Sequence, residues 1–346
     1  MFGVSRALAG PPCRRWLRLG ALPFSVLHAV ALLSGPPSIN LAQAPAPGTG
    51  LREGLFQLRE MDLHLHAGLE LECSLDRWLD LAAADGRRVV MLLDHLELYR
   101  KTPEQYRDWL LQHPAFVVRY PMGAAGRKAL LADFARARQR RDLLVFTGWE
   151  VSEDELDTGT ELEALEAVEA VGFHISPRHG RAPPDGRHLI RRARQVKQLQ
   201  RRLPRPMVLF HPFTMRVEHV ERTAQRQGRS LESLTAAEYR FFQPGEQPEL
   251  AELLRGSSVY IEIALETGAC MERPACREAM IADVKPLAEM GVQFTVSTDA
   301  HGLRHAKTPF RPESYCGPLG VTPANANTLV RELLALRARK QVIIHR

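Results

Sequence analysis

The sequence predicts a parallel α/β barrel of seven strands, a (β/α) TIM-like arrangement. Two observations carry that expectation. Short apolar runs alternate with longer stretches of helical periodicity, the pattern of strand–helix units repeated around a parallel sheet. The histidines and carboxylates that break the apolar pattern gather at the C-terminal ends of those runs, which is the functional face of such a barrel.

The predicted strands are Leu58–His64, Val89–Leu93, Leu143–Thr147, Ala170–Phe173, Met207–Leu209, Val259–Ile263 and Gln293–Val296. Apart from the first, in which Arg59, Glu60, Asp62 and His64 interrupt the apolar residues, each is a short, mostly apolar run bounded by polar residues. The predicted helices are Leu75–Ala84, Ala124–Arg140, Leu189–Leu203, Pro248–Leu254, Arg277–Met290 and Asn325–Arg339. Thr214–Gln247 is longer than an ordinary connection and reads as a long loop, a lid or binding segment. The acidic segment Glu153–Glu169 and the basic face of Arg191–Arg202 read as solvated surface.

The N-terminus is a separate matter. Arg14, Arg15 and Arg18 precede the mostly apolar run Leu19–Leu33, and Ala42-Gln43-Ala44 offers a small-x-small cleavage signal. Residues 1–44 therefore read as a secretory leader, 45–54 as a Pro/Gly/Ala linker, and 55–346 as one catalytic-sized domain. The apolar run is shorter than the roughly 20 residues a membrane span needs. Export to the periplasm or medium is expected, with no membrane contact after cleavage. Four of the 46 basic residues and none of the 40 acidic ones fall in this leader, so the remaining chain is close to neutral. With aromatic residues at 7%, no basic and aromatic surface for nucleic acid is evident. In an oxidising compartment Cys270 and Cys276 are close enough in sequence to bridge. No CxxC pairs suggest a zinc ribbon.

The chemistry sits at the strand ends. The first strand runs into Asp62-Leu63-His64-Leu65-His66, and residues two apart on a strand share a face. Two imidazoles at that spacing can grip one cation, with Asp62 placed to orient one of them. The following strands deliver Asp94-His95, Glu150, His174, His211, Glu262, and Asp299 with His301. Gathering so many ionisable groups in a buried place without a cation is costly. The set therefore points to divalent metal ions, and its mixed His/carboxylate character suits Zn²⁺, Mn²⁺ or Fe²⁺. His113, His179, His188, His219, His305 and His345 end no apolar strand and read as loop or surface residues.

In this order the motifs DLHLH, DH, GWE, FH, FHP and TDAH, spanning Met61 to Gly302, resemble the PHP family, named for polymerase and histidinol phosphatase. The resemblance implies a distorted seven-stranded barrel holding two or three metal ions. It assigns His64, His66, Glu150 and Asp299 to one ion. Glu150 bridges to a second, completed by His174 and His211. His95 and His301 hold a third, together with a carboxylate shortly after the HxH pair, for which the chain offers Glu70 or Glu72, with Glu70 preferred. The implied reaction is hydrolysis of a small phosphate ester by a metal-activated water. Glu150, His211 and His301 carry the catalysis, one of the two histidines protonating the leaving group. Asp62, Asp94 and Glu262 act as supporting or substrate-contacting groups, and Arg304 contacts phosphate. Two other readings share these residues. A TatD-like nuclease also begins with HxH but lacks the Asp94-His95 step and the Asp-x-His ending, and an amidohydrolase often bridges its metals with a carboxylated lysine, whereas no predicted strand here ends in Lys. An exported metal-binding protein without turnover would need a broken ligand set.

Overall fold

The computed structural model describes residues 55–67, 74–112, 119–120, 123–159, 161–175, 184–301 and 309–344, all within the unit Ala46–Arg346. The leader and linker, Glu70, Glu72, Cys73, His113, His179, Arg304, His305 and His345 fall outside the described residues.

Seven strands form one sheet in sequence order, every neighbouring pair parallel. They are β1 (Met61–His66), β2 (Val89–Leu93), β3 (Leu144–Ser152), β4 (Ala170–His174), β5 (Met207–Phe210), β6 (Val259–Ala264) and β7 (Phe294–Ser297). The first and last strands meet: the His66 N–H donates to the Ala300 carbonyl at 3.1 Å, beside a parallel bridge from Leu65 to Ala300. The sheet is thus a nearly closed barrel. Consecutive parallel strands need helical crossovers. Helices are α1 (Leu75–Ala84), α2 (Pro103–Gln112), α3 (Gly123–Ala137), α4 (Glu155–Thr158), α5 (Leu162–Glu166), α6 (Gly186–Arg202), α7 (Pro212–Arg226), α8 (Ala236–Tyr239), α9 (Glu246–Leu254), α10 (Glu266–Glu272) and α11 (Pro274–Glu289), followed by Glu313–Cys316, Pro323–Ala326 and a C-terminal helix Thr328–Ile344. Among the described residues no helix is long and apolar enough to cross a membrane.

Burial explains the continuous apolar character of the strands. Every residue of β1, β2, β5, β6 and β7 is buried, as expected when both faces of a parallel sheet are covered. One position shows how tightly the interior is filled. A Cβ on Gly172 in β4 would overlap the Phe210 ring, which packs on the His64 imidazole with centroids 4.0 Å apart. Gly172→Ala is expected to destabilise the fold by at least the roughly 1–3 kcal/mol of an overpacked core. Urea unfolding midpoints measure it, and an unchanged midpoint would mean that Phe210 moves aside freely.

Two sequence expectations change here. The segment Thr214–Gln247 is largely helical, not a long loop. Pro212 opens α7 at its first turn, where a missing N–H costs nothing. Phe213, Val217 and Ala224 then bury one helical stripe. The first strand begins at Met61, because Leu58–Glu60 closes a 3₁₀ turn in which the Gln57 N–H donates to Glu60 Oε2 at 2.8 Å. Cys270 and Cys276, which the sequence leaves open between a bridge and two thiols, lie across the α10–α11 junction as free buried thiols.

Candidate metal centre

The strand ends bring His64, His66, His95, Glu150, His174, His211, Asp299 and His301 into one cluster. Glu150 is its centre and is almost wholly buried, 1% exposed. Five imidazole nitrogens face its carboxylate: His174 Nδ1 and His211 Nε2 lie 3.1 and 3.4 Å from Oε1, and His66 Nε2, His95 Nδ1 and His64 Nε2 lie 3.2, 3.3 and 3.4 Å from Oε2. Yet neither Glu150 oxygen has a hydrogen-bond partner, nor does Asp299 Oδ1. The nitrogens are close, but no N–H is aligned on the oxygens. Buried carboxylate oxygens left in that state are unusual, and a cation held among these nitrogens would satisfy them.

The spacing of the donor atoms makes this specific. His64 Nε2, His66 Nε2, Glu150 Oε2 and Asp299 Oδ1 lie close together. Five of the separations among them measure 3.0, 3.4, 3.3, 3.2 and 3.2 Å. A tetrahedral zinc with bonds of about 2.0–2.1 Å requires edges of about 3.3–3.4 Å. Glu150, His174 and His211 offer atoms within 4.8 Å of one another on the Oε1 side, so Glu150 can bridge two ions. His66, His95 and His301 form a third group at the same spacing, and His64, His211 and Asp299 a fourth. His66 thus belongs to two groups, its ring stacked on His301 with centroids 3.9 Å apart. The donors fit divalent ions in number, type and spacing.

Backbone strain places two of these donors. His211 and Asp299 are the non-glycine residues with positive φ among those described, at 59° and 49°. Each such residue costs roughly 1–3 kcal/mol, and such strain persists where surrounding structure holds it for a purpose. At Asp299 the holding group is Asp62. Its oxygens accept from the Thr298 N–H at 2.9 Å and from Thr298 Oγ1 at 2.8 Å, and Arg87 Nε lies 3.1 Å away. Asp62 therefore orients no histidine, contrary to expectation. The β1–β7 stagger sets it beside Thr298 and so steadies the turn that presents Asp299. Asp62→Ala would leave Arg87 buried with its nearest remaining carboxylate, Asp85, at 3.6 Å. The expected loss is roughly 3–5 kcal/mol, read by thermal unfolding, with metal uptake retained in the folded fraction. Loss of metal without loss of stability would reverse that assignment.

Glu262 does the orienting instead. Its Oε1 lies 2.7 Å from His64 Nδ1 and its Oε2 3.0 Å from His211 Nδ1. Asp94 accepts from the His95 N–H at 2.8 Å and from the Tyr99 hydroxyl, and lies 3.9 Å from His66 Nδ1. Sequence reasoning missed Trp78, whose Nε1–H donates to the His66 carbonyl at 2.9 Å, and Glu97, whose Oε1 is 3.4 Å from His95 Nδ1. Glu97 stands two residues past Asp94-His95, a spacing that had no meaning before the 3₁₀ turn Leu96–Arg100 was known. His188, expected at the surface, sits in the first turn of α6 with Nε2 2.6 Å from Glu153. Beside Glu97 opens a cavity of about 530 Å³, lined also by Arg100, Lys101, Gln105, Trp109 and Glu155.

The charges of the cluster shift one another's titration. Burial pulls the His64 imidazole down, but Glu262, Asp299 and Glu150 outweigh it and raise its pKa to about 9. Burial likewise opposes the charge on Glu262, but His211 and His64 lower it to about 2. Glu150 and Asp299 are held well below the usual carboxylate range despite burial, by the surrounding imidazoles. His66 and His211 are raised well above the ordinary value, while burial and the neighbouring His66 charge drive His301 down.

No protein-family profile matches the chain, and no characterised protein sequence does. Solved structures resemble it in fold. A histidinol phosphate phosphatase from Lactococcus lactis, complexed with zinc, L-histidinol and phosphate, aligns with 12% identity over 76% of this chain and 92% of its own, with a TM-score of 0.45. A candidate histidinol phosphatase from Listeria monocytogenes aligns with 12% identity over 74% of this chain and 100% of its own, also at 0.45. A chain of an archaeal ribonuclease P aligns with 13% identity over 83% of this chain and 93% of its own, at 0.41.

Proposed function

We propose that the chain is a PHP-type metal-dependent phosphoesterase. The observation that carries the reading is the Glu150 carboxylate, buried, without hydrogen bonds, and faced by five imidazoles. The order of ligand motifs along the chain, which resembles that family, supports a phosphate ester as substrate. Divalent ions bound in this cluster would supply an activated water and offset the negative charge that builds on the phosphoryl oxygens.

The protein's own groups do the rest. His64, His66, Glu150 and Asp299 would hold one ion, and Glu150, His174 and His211 a second. His95 and His301 would serve a third. His211 has both ring nitrogens committed, Nδ1 towards Glu262 and Nε2 towards Glu150. His301 is more open, 20% exposed, and its Nδ1 donates to the Asp299 carbonyl at 2.8 Å. Either His211 or His301, where not committed to an ion, would pass a proton to the leaving oxygen. The cavity beside Glu97 and Arg100 carries charges of both signs, which suits a polar alcohol portion. Glu70 as a further ligand and Arg304 as a phosphate contact belong to the same reading, as does export through the leader; N-terminal sequencing of the protein recovered outside the cytoplasm tests the last.

The deciding experiment measures metal content and hydrolysis of p-nitrophenyl phosphate and bis(p-nitrophenyl) phosphate by the wild type, His64→Ala and Asp299→Ala. Two or three ions per chain, with turnover lost in both variants, is the expected result. Bound metal without turnover of either ester would shift the reading to amide or lactone hydrolysis. A wild type that stays empty after incubation with Zn²⁺ or Mn²⁺ would end it.

A further inference from the structure

Glu262 lies in β6 with its carboxylate wholly enclosed, and it is the meeting point of two metal groups. On one oxygen, Oε1, it receives the Ser297 hydroxyl at 2.6 Å and His64 Nδ1 at 2.7 Å. On the other, Oε2, it accepts the backbone N–H of His211 at 3.0 Å, and His211 Nδ1 lies 3.0 Å away. An ionised carboxylate can only accept hydrogen bonds. His64 must therefore carry a proton on Nδ1, and the carboxylate beside His211 Nδ1 favours the proton there as well. Each then turns an Nε2 lone pair to the cluster, which is the form a metal ligand needs. His64 belongs with His66 and Asp299, whose donor atoms lie 3.0 and 3.3 Å from its Nε2, and His211 to the group with His174.

We propose that Glu262 is a shared positioning residue that sets the ligand tautomer of one histidine in each of two adjacent metal positions, and that its two oxygens are not equivalent. The inference rests on the metal reading of the site. The asymmetry comes from the second donor on each oxygen. At Oε2 that donor is a backbone N–H, which cannot be turned into an acceptor. At Oε1 it is the Ser297 hydroxyl, which can rotate and accept. An amide of the same shape has one orientation open to it: its oxygen must take the Oε2 place, and its NH₂ must take the Oε1 place. There the NH₂ donates to Ser297 Oγ and to His64 Nδ1. A His64 that accepts at Nδ1 carries its proton on Nε2 and has no lone pair for the ion. His211 keeps its ligand form.

Glu262→Gln is thus expected to disable the His64 position and spare the His174/His211 position. The test uses the full-length protein, stripped by a chelator and titrated with Zn²⁺ against a chromophoric competitor. The variant should take up one zinc fewer per chain than the wild type, or hold one of them 10–100-fold more weakly. Adding His64→Ala to it should remove nothing further, whereas adding His211→Ala should remove another zinc. Imidazole ¹⁵N shifts give a readout that needs no turnover and no variant. In the zinc-loaded wild type both His64 and His211 should be protonated on Nδ1, and in loaded Glu262→Gln only His64 should switch to Nε2. Wild-type stoichiometry and affinity in the variant would overturn the proposal, as would parallel loss of both ions or a wild-type His64 protonated on Nε2. A wild type that binds no zinc would fail earlier, on the metal reading itself.

Discussion

Replacing Glu150 with glutamine is expected to empty two metal positions together and to reduce phosphoester turnover by roughly 10³-fold or more. Its two oxygens face different histidines, His174 and His211 on Oε1 and His64, His66 and His95 on Oε2. An amide keeps the shape and one oxygen but loses the charge and one donor, so no orientation serves both ions. Loss of a single charge-stabilising group in an active site already costs about 10²–10³-fold, and here two ions lose a ligand. His174→Ala should behave differently, because the set His64, His66, Glu150 and Asp299 does not use it. That variant should keep one tightly held ion and lose the other. Metal analysis beside kcat/KM for each protein makes the comparison. A Glu150→Gln protein that still holds two equivalents would refute the bridging role.

The stability of the metal-free protein should peak on the acid side of neutrality, and zinc should move the peak upward. His64 has its pKa raised from 6.5 to about 9, so its stabilising contribution is complete below 6.5 and disappears as pH rises through about 9. Glu262 is lowered from 4.5 to about 2, so its contribution is present above 4.5 and disappears as pH falls through about 2. The metal-free protein should therefore melt highest between about pH 4.5 and 6.5. Zinc needs the imidazoles deprotonated, so binding expels those protons and apparent affinity climbs with pH until about 9. An ion present at a hundredfold its Kd adds about 2.7 kcal/mol. Two ions in a domain of this size correspond to a rise of about 10 °C or more. Calorimetry at pH 5.5, 7 and 8.5, with and without zinc, should show the largest gain at pH 8.5. A gain that shrinks with rising pH would contradict the proton inventory of the cluster.

Where local chemistry dominates, the sequence could be read directly. Val89–Leu93 is apolar throughout because β2 is covered on both faces, and its bounds are visible without any structure. Leu75–Ala84 shows its start in Ser74, whose hydroxyl accepts from the Arg77 N–H at 3.1 Å. The reading failed at α7, where Thr214–Gln247 reads as a long connection although Pro212 opens a helix and Phe213, Val217 and Ala224 bury one stripe of it. It failed again at Asp62, whose position before HxH suggested a histidine partner. Its actual partners, Thr298 and Arg87, come from the far end of the barrel and from the approach to β2.

The candidate ligands themselves were legible because a parallel sheet sends all its strand ends to one face. A His, Asp or Glu closing an apolar run has nowhere else to go, and the order of residue types along the chain already determines which donors can meet. What the sequence does not hold is their orientation. The left-handed backbone at His211 and Asp299 is imposed by the turns that leave β5 and β7. The partner of His64 Nδ1 is a carboxylate 198 positions away. Which imidazole nitrogen faces an ion depends on such contacts, and a hydrogen bond between distant residues exists only after the barrel has closed around them.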